Sequence, residues 1–397
     1  MAEALAGFRP ERRTPAETVP LGEALNRVPA APVTAPHPLP GFARSTVDGY
    51  AVRAADTYGV SEGLPGYLEV AGAVRMGAEP DVTVGPGKVA AMPTGGVLPP
   101  GADAVVMVEY TQEAMPGTIE VTRPVAPGEG VVRADEDAAS GAELVPAGRP
   151  LRAQDLGMLA AAGVTEVSVH ARPRVTVFST GDEVVPPETA ELRPGQVRDA
   201  TATALGALIA QAGGEARQGG IIPDDRAALE AALRGALPGS DMIVISAGSS
   251  VGARDETAAA VARLGPPGIW CHGLAIRPGK PTLLAECAGV PVVGLPGNPR
   301  SALVVFRLIG MPLVRRVGGC TSPPAEPVVR ARLARDVASA AGRLDVIQVR
   351  LEDGLAVPLF GLSALLSILT AADGYVVVPE EATGLGSGTC VDVTLYR

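Results

Sequence analysis

The sequence predicts an α/β protein with a central doubly wound α/β domain, two β-rich domains and a mixed N-terminal lead-in domain. Between residues 172 and 318, short apolar runs typical of buried strands alternate with helical patterns. Strand-like runs separated by Gly and Pro dominate residues 41–127 and 319–397. The chain has 397 residues, which is too long for one hydrophobic core. From length alone, two to four domains are therefore expected.

The lead-in domain is expected to combine residues 1–40 with residues 128–171. The first segment contains a helical pattern at 21–28, followed by a proline-rich extended passage. The second contains a helical pattern at 150–161. We expect the second segment to pack back onto the first, with the small β-rich domain of residues 41–127 inserted between them.

The two β-rich domains are predicted from short strands and turn signals. In the first, Asp48-Gly49 is a turn signal between apolar flanks, and residues 104–108 form a strand pattern. In the last eighty residues the strand-like pieces alternate with Gly-rich turns, which indicates a small β-barrel or sandwich. These pieces are residues 328–333, 345–351, 374–378 and 390–396.

The central domain supplies the turns on which a functional site is expected. Its predicted strands are residues 175–178, 242–245 and 290–293, and its predicted helices are residues 204–212, 226–237 and 302–314. In a doubly wound sheet, the turns at the carboxyl ends of the strands meet in one crevice, where ligands bind.

The polar residues of these turns predict an anionic substrate and a metal ion. Glu183, Asp225 and Asp255 are carboxylates of the kind that bind a hard divalent cation. Arg277 and Lys280 are fixed cations, and the small residues of 246–252 expose backbone N–H groups that suit an oxyanion.

Each of these residues also has a purely structural interpretation. Glu183 sits where a helix-capping carboxylate is common, and one of Asp224 and Asp225 is expected to cap the helix that follows. For Asp255, too, the structural interpretation is that of a helix N-cap. Asn298-Pro299 fits an N-cap followed by proline at the first helical position, yet that geometry also makes an anion site. Residues 246–252 lack the lysine of a phosphate-binding P-loop.

Composition narrows the classes of function. The net charge of −10 argues against non-specific nucleic-acid binding. The four cysteines are far apart and the three histidines are scattered, so a zinc ribbon, a disulfide framework and a His-based triad are not expected. With no signal peptide and no apolar run of membrane-spanning length, a cytoplasmic protein without membrane partners is expected.

Seven motifs, in order along nearly the whole chain, resemble the MoeA family of molybdopterin molybdenumtransferases. They are Arg44-Ser-Thr-Val-Asp-Gly-Tyr-Ala51, Thr94-Gly95 with Ala104-Val-Val-Met107, Ser179-Thr-Gly-Asp-Glu183, Ile222-Pro-Asp-Asp225, Ser246 to Gly252, Arg277-Pro-Gly-Lys-Pro281 and Leu295-Pro-Gly-Asn-Pro299. The resemblance implies a homodimer with a molybdopterin-binding central domain. It also implies insertion of molybdate into adenylylated molybdopterin with Mg²⁺, releasing AMP and molybdenum cofactor.

The motifs and the resemblance together give an expected site. Asp48, Thr94, Glu183, Asp225 and Asp255 are expected to be catalytic, with Glu183, Asp225 and Asp255 binding Mg²⁺. The resemblance places Thr94 in a cleft that faces the other subunit. The expected substrate-binding residues are Ser246, Gly248, Ser250, Gly252, Arg277, Lys280, Pro281, Pro296, Asn298, Pro299 and Ser363.

The sequence departs from the family pattern at two sites that bear on the chemistry. An Asp-Ser-Asn motif reads Asp199-Ala-Thr201, and a frequent arginine of the C-terminal domain is Gln348. We expect Arg277, Lys280 and Arg350, with Ser363 or Ser367, to offset the missing guanidinium. Arg350 is chosen because alternate residues of a strand share a face.

Two other functions fit parts of the sequence. A molybdopterin adenylyltransferase shares the central α/β domain, but it usually stands alone, whereas this chain has long extensions on both sides. A gephyrin-like scaffold that binds a peptide is the third hypothesis, although the chain is poor in the aromatic residues that anchor peptides. A separate adenylyltransferase is a possible partner that delivers the substrate.

Overall fold

The structure is a computed structural model that describes residues 5–8, 13–246 and 251–396, with only the backbone described at 251–255. The expected site residues Gly248 and Ser250 lie outside the described residues. The side chain of Asp255 also lies outside them.

The central domain is built on a six-stranded sheet. Its strands are β1 (Arg174–Thr180), β2 (Glu215–Ile222), β3 (Met242–Ser246), β4 (Pro267–His272), β5 (Leu283–Cys287) and β6 (Val290–Leu295). Their order in space is β2-β1-β3-β6-β5-β4. In this spatial order, β2, β1, β3 and β6 pair in parallel. β5 then pairs antiparallel with β6, and β4 pairs antiparallel with β5.

Helices cover both faces of this sheet. They are α1 (Ala200–Gln211), α2 (Arg226–Ala236), α3 (Val251–Val261), α4 (Pro299–Val305) and α5 (Met311–Val317). One core packs α1, α4 and α5 against the sheet, and the other packs α2 and the end of α3. The doubly wound prediction is confirmed. In the described part of the chain, no helix has the length and apolarity needed to cross a membrane.

The helix predicted at 302–314 is longer than expected and interrupted. It begins at Pro299, runs through α4 into a π-helical turn at Phe306–Gly310, and continues as α5. Met311 N–H donates to Phe306 O, five residues earlier. Pro312 has no N–H to give to an α-helical register, which accounts for the wider turn immediately before it.

Two segments that are distant in sequence pair in the lead-in region. Strand Ala16–Pro20 pairs antiparallel with Glu166–His170, and Val33–Thr34 pairs with Glu143–Val145. The expected helix is present at Ala153–Ala161, and its Leu159 is fully buried in this core.

The helix predicted at 21–28 is wrong. Only a 3-10 turn, Leu21–Glu23, forms there. Asn26 has φ 61°, which a helix does not allow, and its N–H donates to Leu151 O at 2.9 Å. Backbone hydrogen bonds to Leu151 take the place of helical hydrogen bonds in this segment.

Phe8 belongs to the central core, although the sequence suggested a lead-in role for residues 1–40. Its side chain is fully buried among residues of β1, α1 and α4. Its ring meets that of Trp270 edge to face, with centroids 5.2 Å apart. Phe8 packs against residues that are distant in sequence, so the residues around it give no signal that predicts its burial.

The small β-rich region forms a second six-stranded sheet. In spatial order its strands are Ala104–Met107, Gly49–Val52, Lys88–Met92, Gly66–Ala73, Thr118–Val121 and Thr111–Met115. All neighbours are antiparallel except Gly66–Ala73 and Lys88–Met92. Separate apolar clusters pack on its two faces.

The C-terminal strands close into a ring. Strand Leu344–Glu352 pairs with Leu355–Pro358 on one side and with Gly374–Val378 on the other. Val328–Leu333 and Cys390–Leu395 complete the circle. The ring encloses a core of small aliphatic side chains such as Val349 and Val393. Of the two architectures expected from the sequence, this is the barrel.

Candidate active site

The carboxyl ends of the four parallel strands align along one edge of the central sheet. Thr180 pairs with Ile222, Ser179 with Ser246, and Ser246 with Leu295. The turns that follow these strands therefore lie side by side. Along the edge, carboxylates follow β2 and β1, a Ser-rich stretch follows β3, and Asn298 follows β6. The edge changes from acidic to basic toward the loop before β5.

The acidic end contains Asp182, Glu183 and Asp224. Asp182 Oδ1 accepts a hydrogen bond from Asp224 N–H at 3.2 Å, which holds the two turns together. Partial burial raises the pKa of Asp224, and the charges of Glu183 and Asp182 raise it further. None of the three carboxylates forms a salt bridge within the described residues. Among the described residues, the negative charge of this end is therefore not balanced by a cation.

Asp225, which was expected in the cleft, caps α2. Its Oδ1 accepts a hydrogen bond from Ala228 N–H at 2.7 Å, as an N-cap carboxylate does. The neighbouring Asp224 is the member of the pair whose charge interacts with Glu183. The cap therefore falls on the second residue of the pair, and the expected role of Asp225 in the cleft stays a prediction.

Within the described residues, no three His, Cys, Asp or Glu side chains are close enough together to hold a metal ion by themselves. Two of the three expected Mg²⁺ ligands can be placed: Glu183 lies in the acidic end, and Asp225 caps the helix beside it. Asp255 cannot be placed.

The middle of the edge is occupied by two buried serines. Ser179 and Ser246, at the ends of β1 and β3, are 3% and 6% exposed. Ser179 Oγ has no hydrogen-bond partner among the described residues, so it is available to a ligand or to the loop that follows β3. Gly252 lies in the first turn of α3, close to that loop in sequence.

The basic end is a cavity of about 680 Å³. Six of the expected substrate-binding residues line it: Arg277, Lys280, Pro281, Pro296, Asn298 and Ser363. Pro299, also expected, is the first residue of α4. The central domain and the C-terminal barrel both contribute to the lining. The structure brings together residues that are up to 86 positions apart in sequence.

The loop that carries Arg277 and Lys280 is fixed from both sides. Ile276–Arg277 pairs in parallel with Leu344–Asp345 of the barrel. Leu274 N–H donates to Lys280 O, and Thr282 Oγ1 donates to Gly279 O. Gly279 has φ 124°, and a Cβ there would lie 2.3 Å from Val305 of α4. Glycine therefore allows the loop to pack against the helix.

Two further arginines line this cavity that were not among the expected site residues. Arg343 precedes the barrel strand and its Nε lies 2.9 Å from the fully buried Asp345 carboxylate, which is also 3.8 Å from Arg277. Arg300 follows Pro299 directly, and its signal in the sequence is the positive charge it adds beside the anion site expected at Asn298-Pro299. Four cations thus line the cavity, and two of them, Arg277 and Arg343, pair with one buried carboxylate.

Gln348 lines a second cavity, of about 330 Å³, which shares Arg277, Pro278 and Arg300 with the first. Its side chain is 2% exposed, and Nε2 is 3.5 Å from Tyr396 Oη. Burial raises the pKa of Tyr396 to about 12, so this hydroxyl stays neutral. Gln348 therefore lies where the resemblance expects an oxyanion-binding arginine.

Arg350 does not offset the missing guanidinium in the way we expected. It is exposed and forms an ion pair with Glu352 on the same strand. Neither cavity has Arg350 in its lining. Gln348 lines a cavity and Arg350, two residues further along the strand, does not, so a shared strand face was not sufficient to place it. Ser367, the other residue named with it, begins a short helix and also lies outside both linings.

Asp48 and Thr94 form a separate pair on the small sheet domain. Thr94 donates to Asp48 Oδ1 from its backbone N–H at 2.7 Å and from its hydroxyl at 2.9 Å. These bonds hold the pKa of Asp48 below its usual range and keep it ionised. Both residues are exposed, and neither described cavity at the basic end includes a residue of their domain.

Comparison with known families covers nearly the whole chain. Residues 1–163 match the MoeA N-terminal region (domain I and II), residues 176–316 match a probable molybdopterin binding domain, and residues 330–396 match the MoeA C-terminal region (domain IV). Molybdopterin molybdenumtransferase 2 of Mycobacterium tuberculosis is 34% identical over 383 residues, which are 95% of this chain and 94% of the relative.

The chain belongs to the MoeA family of molybdopterin molybdenumtransferases. A second relative and a solved structure support this family assignment. The Haemophilus influenzae enzyme is 32% identical over 392 residues, covering 97% of this chain and 95% of its own. A crystal structure of the Pyrococcus horikoshii molybdopterin biosynthesis moeA protein superposes with a TM-score of 0.86 at 31% identity. That match covers 100% of this chain and 99% of the archaeal one. The function of the chain therefore lies in molybdenum cofactor biosynthesis.

Proposed function

We propose that this chain inserts molybdate into adenylylated molybdopterin in the presence of Mg²⁺ and releases AMP and molybdenum cofactor. Family membership gives the class of reaction. The division of the sheet edge into an acidic and a basic end supports the finer assignment, because the reaction joins an oxyanion to a substrate with a phosphoanhydride.

The observation that carries the proposal is the cavity at the basic end. Arg277, Lys280, Arg300 and Arg343 line it, and the described lining contains no acidic residue. The buried Asp345, outside that lining, pairs with Arg277 and Arg343. The remaining positive charge suits a dianion such as molybdate. Ser363 can donate a hydroxyl hydrogen bond to it, and Asn298 can donate from its side-chain amide. The cavity is also large enough for part of a pterin.

The acidic end suits Mg²⁺ in chemistry and charge. Its oxygens are hard ligands, and mutual repulsion between Asp224, Glu183 and Asp182 would be relieved by a divalent cation. Mg²⁺ usually takes one or two carboxylates together with phosphate oxygens and waters, so the lack of a three-residue cluster among the described residues is compatible with binding. When bound, the ion would polarise the phosphoanhydride that links AMP to the pterin.

The chain's own residues would do the rest. The cations of the loop before β5 hold the oxyanion, and the barrel fixes that loop through the pairing at Ile276–Arg277. Ser179 Oγ, which has no hydrogen-bond partner among the described residues, is free to donate to substrate phosphates. Positioning of two anionic reactants in one crevice supplies the catalytic advantage.

We also propose that the active form is a homodimer. Asp48 and Thr94 are exposed, held in one geometry, and absent from the described cavities of their own chain. A second subunit that brings this pair to the crevice would account for the fixed geometry. A cytoplasmic location, in keeping with four free cysteines, is part of the same proposal, as is delivery of the substrate by a separate adenylyltransferase.

The experiment is an assay of AMP release from adenylylated molybdopterin by the purified chain. We expect AMP release to require both Mg²⁺ and molybdate, and to match the cofactor formed, measured by reconstitution of an apo-molybdoenzyme. A matched reaction with unmodified molybdopterin and ATP tests the adenylyltransferase hypothesis. ATP consumption there, with no molybdate-dependent AMP release, would overturn the assignment. Activity in neither reaction would favour the scaffold hypothesis.

A further inference from the structure

Arg300 is held in surroundings that disfavour a cation. Its Nε and Nη1 atoms are buried and have no hydrogen-bond partner among the described residues. Burial lowers its pKa, and the charge of Arg277 nearby lowers it further. An arginine still remains protonated, so Arg300 carries a partly buried positive charge with two of its nitrogen atoms unpartnered among the described residues.

The position of Arg300 in its helix adds to this cost. It is the second residue of α4, which continues through the π-helical turn into α5. The start of a helix is the positive end of its dipole, where anions are stabilised and cations are not. Three unfavourable terms therefore coincide on one side chain: unmet hydrogen bonds, a neighbouring like charge and the helix dipole.

A bound anion would reverse all three terms. It would accept from the unpartnered nitrogens, lie between the charges of Arg300 and Arg277, and complement the start of α4. Arg277 and Arg300 both line the two cavities at the basic end. Arg300 is the better suited, since the buried Asp345 pairs with Arg277 and with Arg343 but not with Arg300.

We propose that Arg300 is the arginine that binds the oxyanion in this chain, and that it takes the place of the guanidinium missing at position 348. This rests on the proposed function, because molybdate is the oxyanion concerned. Gln348 and Arg300 line the same 330 Å³ cavity from the barrel and from α4. A guanidinium from either side can therefore reach an anion held there, and this chain supplies it from the helix.

The test is titration calorimetry with molybdate, with sulfate as a second tetrahedral dianion. Arg300→Gln is expected to weaken molybdate binding about 10- to 100-fold, as loss of a charged hydrogen bond does. The double variant Arg300→Gln with Gln348→Arg is expected to recover at least about tenfold of that loss. Arg350→Gln removes the same charge from the same strand as Gln348 but outside the cavities, and should bind molybdate as the wild type does.

The outcomes separate this inference from the proposed function. Wild-type protein that does not bind molybdate would overturn both. Wild-type binding that Arg300→Gln leaves unchanged would overturn the inference alone, and a double variant no better than Arg300→Gln would show that the two positions do not serve one anion. Thermal melts check folding, and Arg300→Lys, which keeps the charge but not the planar fork, should bind with intermediate affinity if Arg300→Gln is unstable.

Discussion

Asp224 and Asp225 are adjacent in sequence, yet their carboxylates have different surroundings. Asp225 caps α2, and Asp224 shares the acidic end with Glu183 and Asp182. A sequence can predict that one of two aspartates before a helix is a cap. It does not fix which, because the choice depends on where the chain leaves β2.

Substitutions at this pair should separate the two roles. We expect Asp224→Asn to raise the Mg²⁺ concentration needed for half-maximal activity at least about tenfold without lowering the melting temperature. Asp225→Ala should instead cost about 1 kcal/mol of stability through loss of the cap. Asp225→Asn, which keeps a capping oxygen, is the matched control. The assignment is wrong if Asp225→Asn has the larger effect on the Mg²⁺ requirement.

At the scale of single elements, the helix Ala153–Ala161 depends on its first turn. Asp155 accepts hydrogen bonds from Arg152 N–H and from the Arg149 and Arg152 guanidinium groups, at 2.7 to 3.0 Å. These contacts hold the pKa of Asp155 well below its usual range, with the Arg149 hydrogen bond the largest cause. The carboxylate is 7% exposed, so solvent screens it little.

Asp155→Asn is therefore expected to destabilise the protein at pH 7 by about 2–3 kcal/mol. Because the folded-state pKa is lowered, this stabilisation is present above the unfolded value near 4 and is lost as pH falls toward the folded value. The wild-type advantage in thermal unfolding should accordingly shrink between pH 4 and pH 2. Glu352→Gln, which removes an exposed carboxylate from its pair with Arg350, should change stability by less than about 0.5 kcal/mol. An equal effect of both variants would contradict this account.

The conformation of the loop before β5 depends on Gly279. Alanine there meets both an unfavourable φ and Val305 at 2.3 Å, so Gly279→Ala should cost about 1–3 kcal/mol and displace Lys280. We expect weaker molybdate binding by calorimetry, by roughly tenfold. Gly289→Ala is the control, since Gly289 also has a positive φ, of 76°, but open space for a Cβ. Equal molybdate affinity in the two variants would show that the close approach to α4 is unimportant.

At the scale of the whole molecule, the sequence predicts the elements with local periodicity well and the long-range contacts poorly. β1, β3 and β6 and the helices between them follow from apolar runs that stand out in the sequence. The burial of Phe8 beside Trp270, and the position of Arg350 outside the cavities, depend on how distant segments pack. The site follows the same division: the loop cations were predictable from their motif, and the contribution of Arg343 was not.

The relation between subunits is the other large-scale prediction. If Asp48 acts on the crevice of a partner subunit, Asp48→Ala and Arg277→Ala should each be inactive alone. Each mixed dimer should contain one crevice with neither substitution and one with both, and so recover up to about half of the wild-type activity per dimer. Verified mixed dimers that stay inactive would place both residues in a crevice of one chain. Asp56→Ala is the control for Asp48, since Asp56 is a partly exposed aspartate of the same domain that likewise accepts a backbone hydrogen bond.

The most direct test of the central claim is the location of molybdenum in a crystal soaked with molybdate. Data collected on both sides of the molybdenum absorption edge give an anomalous map in which only this element changes. We predict a peak in the 680 Å³ cavity or its 330 Å³ extension, within hydrogen-bonding reach of Arg277, Lys280 or Arg300. A strongest peak elsewhere, for example beside Arg172 and Arg315 at the junction with the lead-in region, would contradict the account.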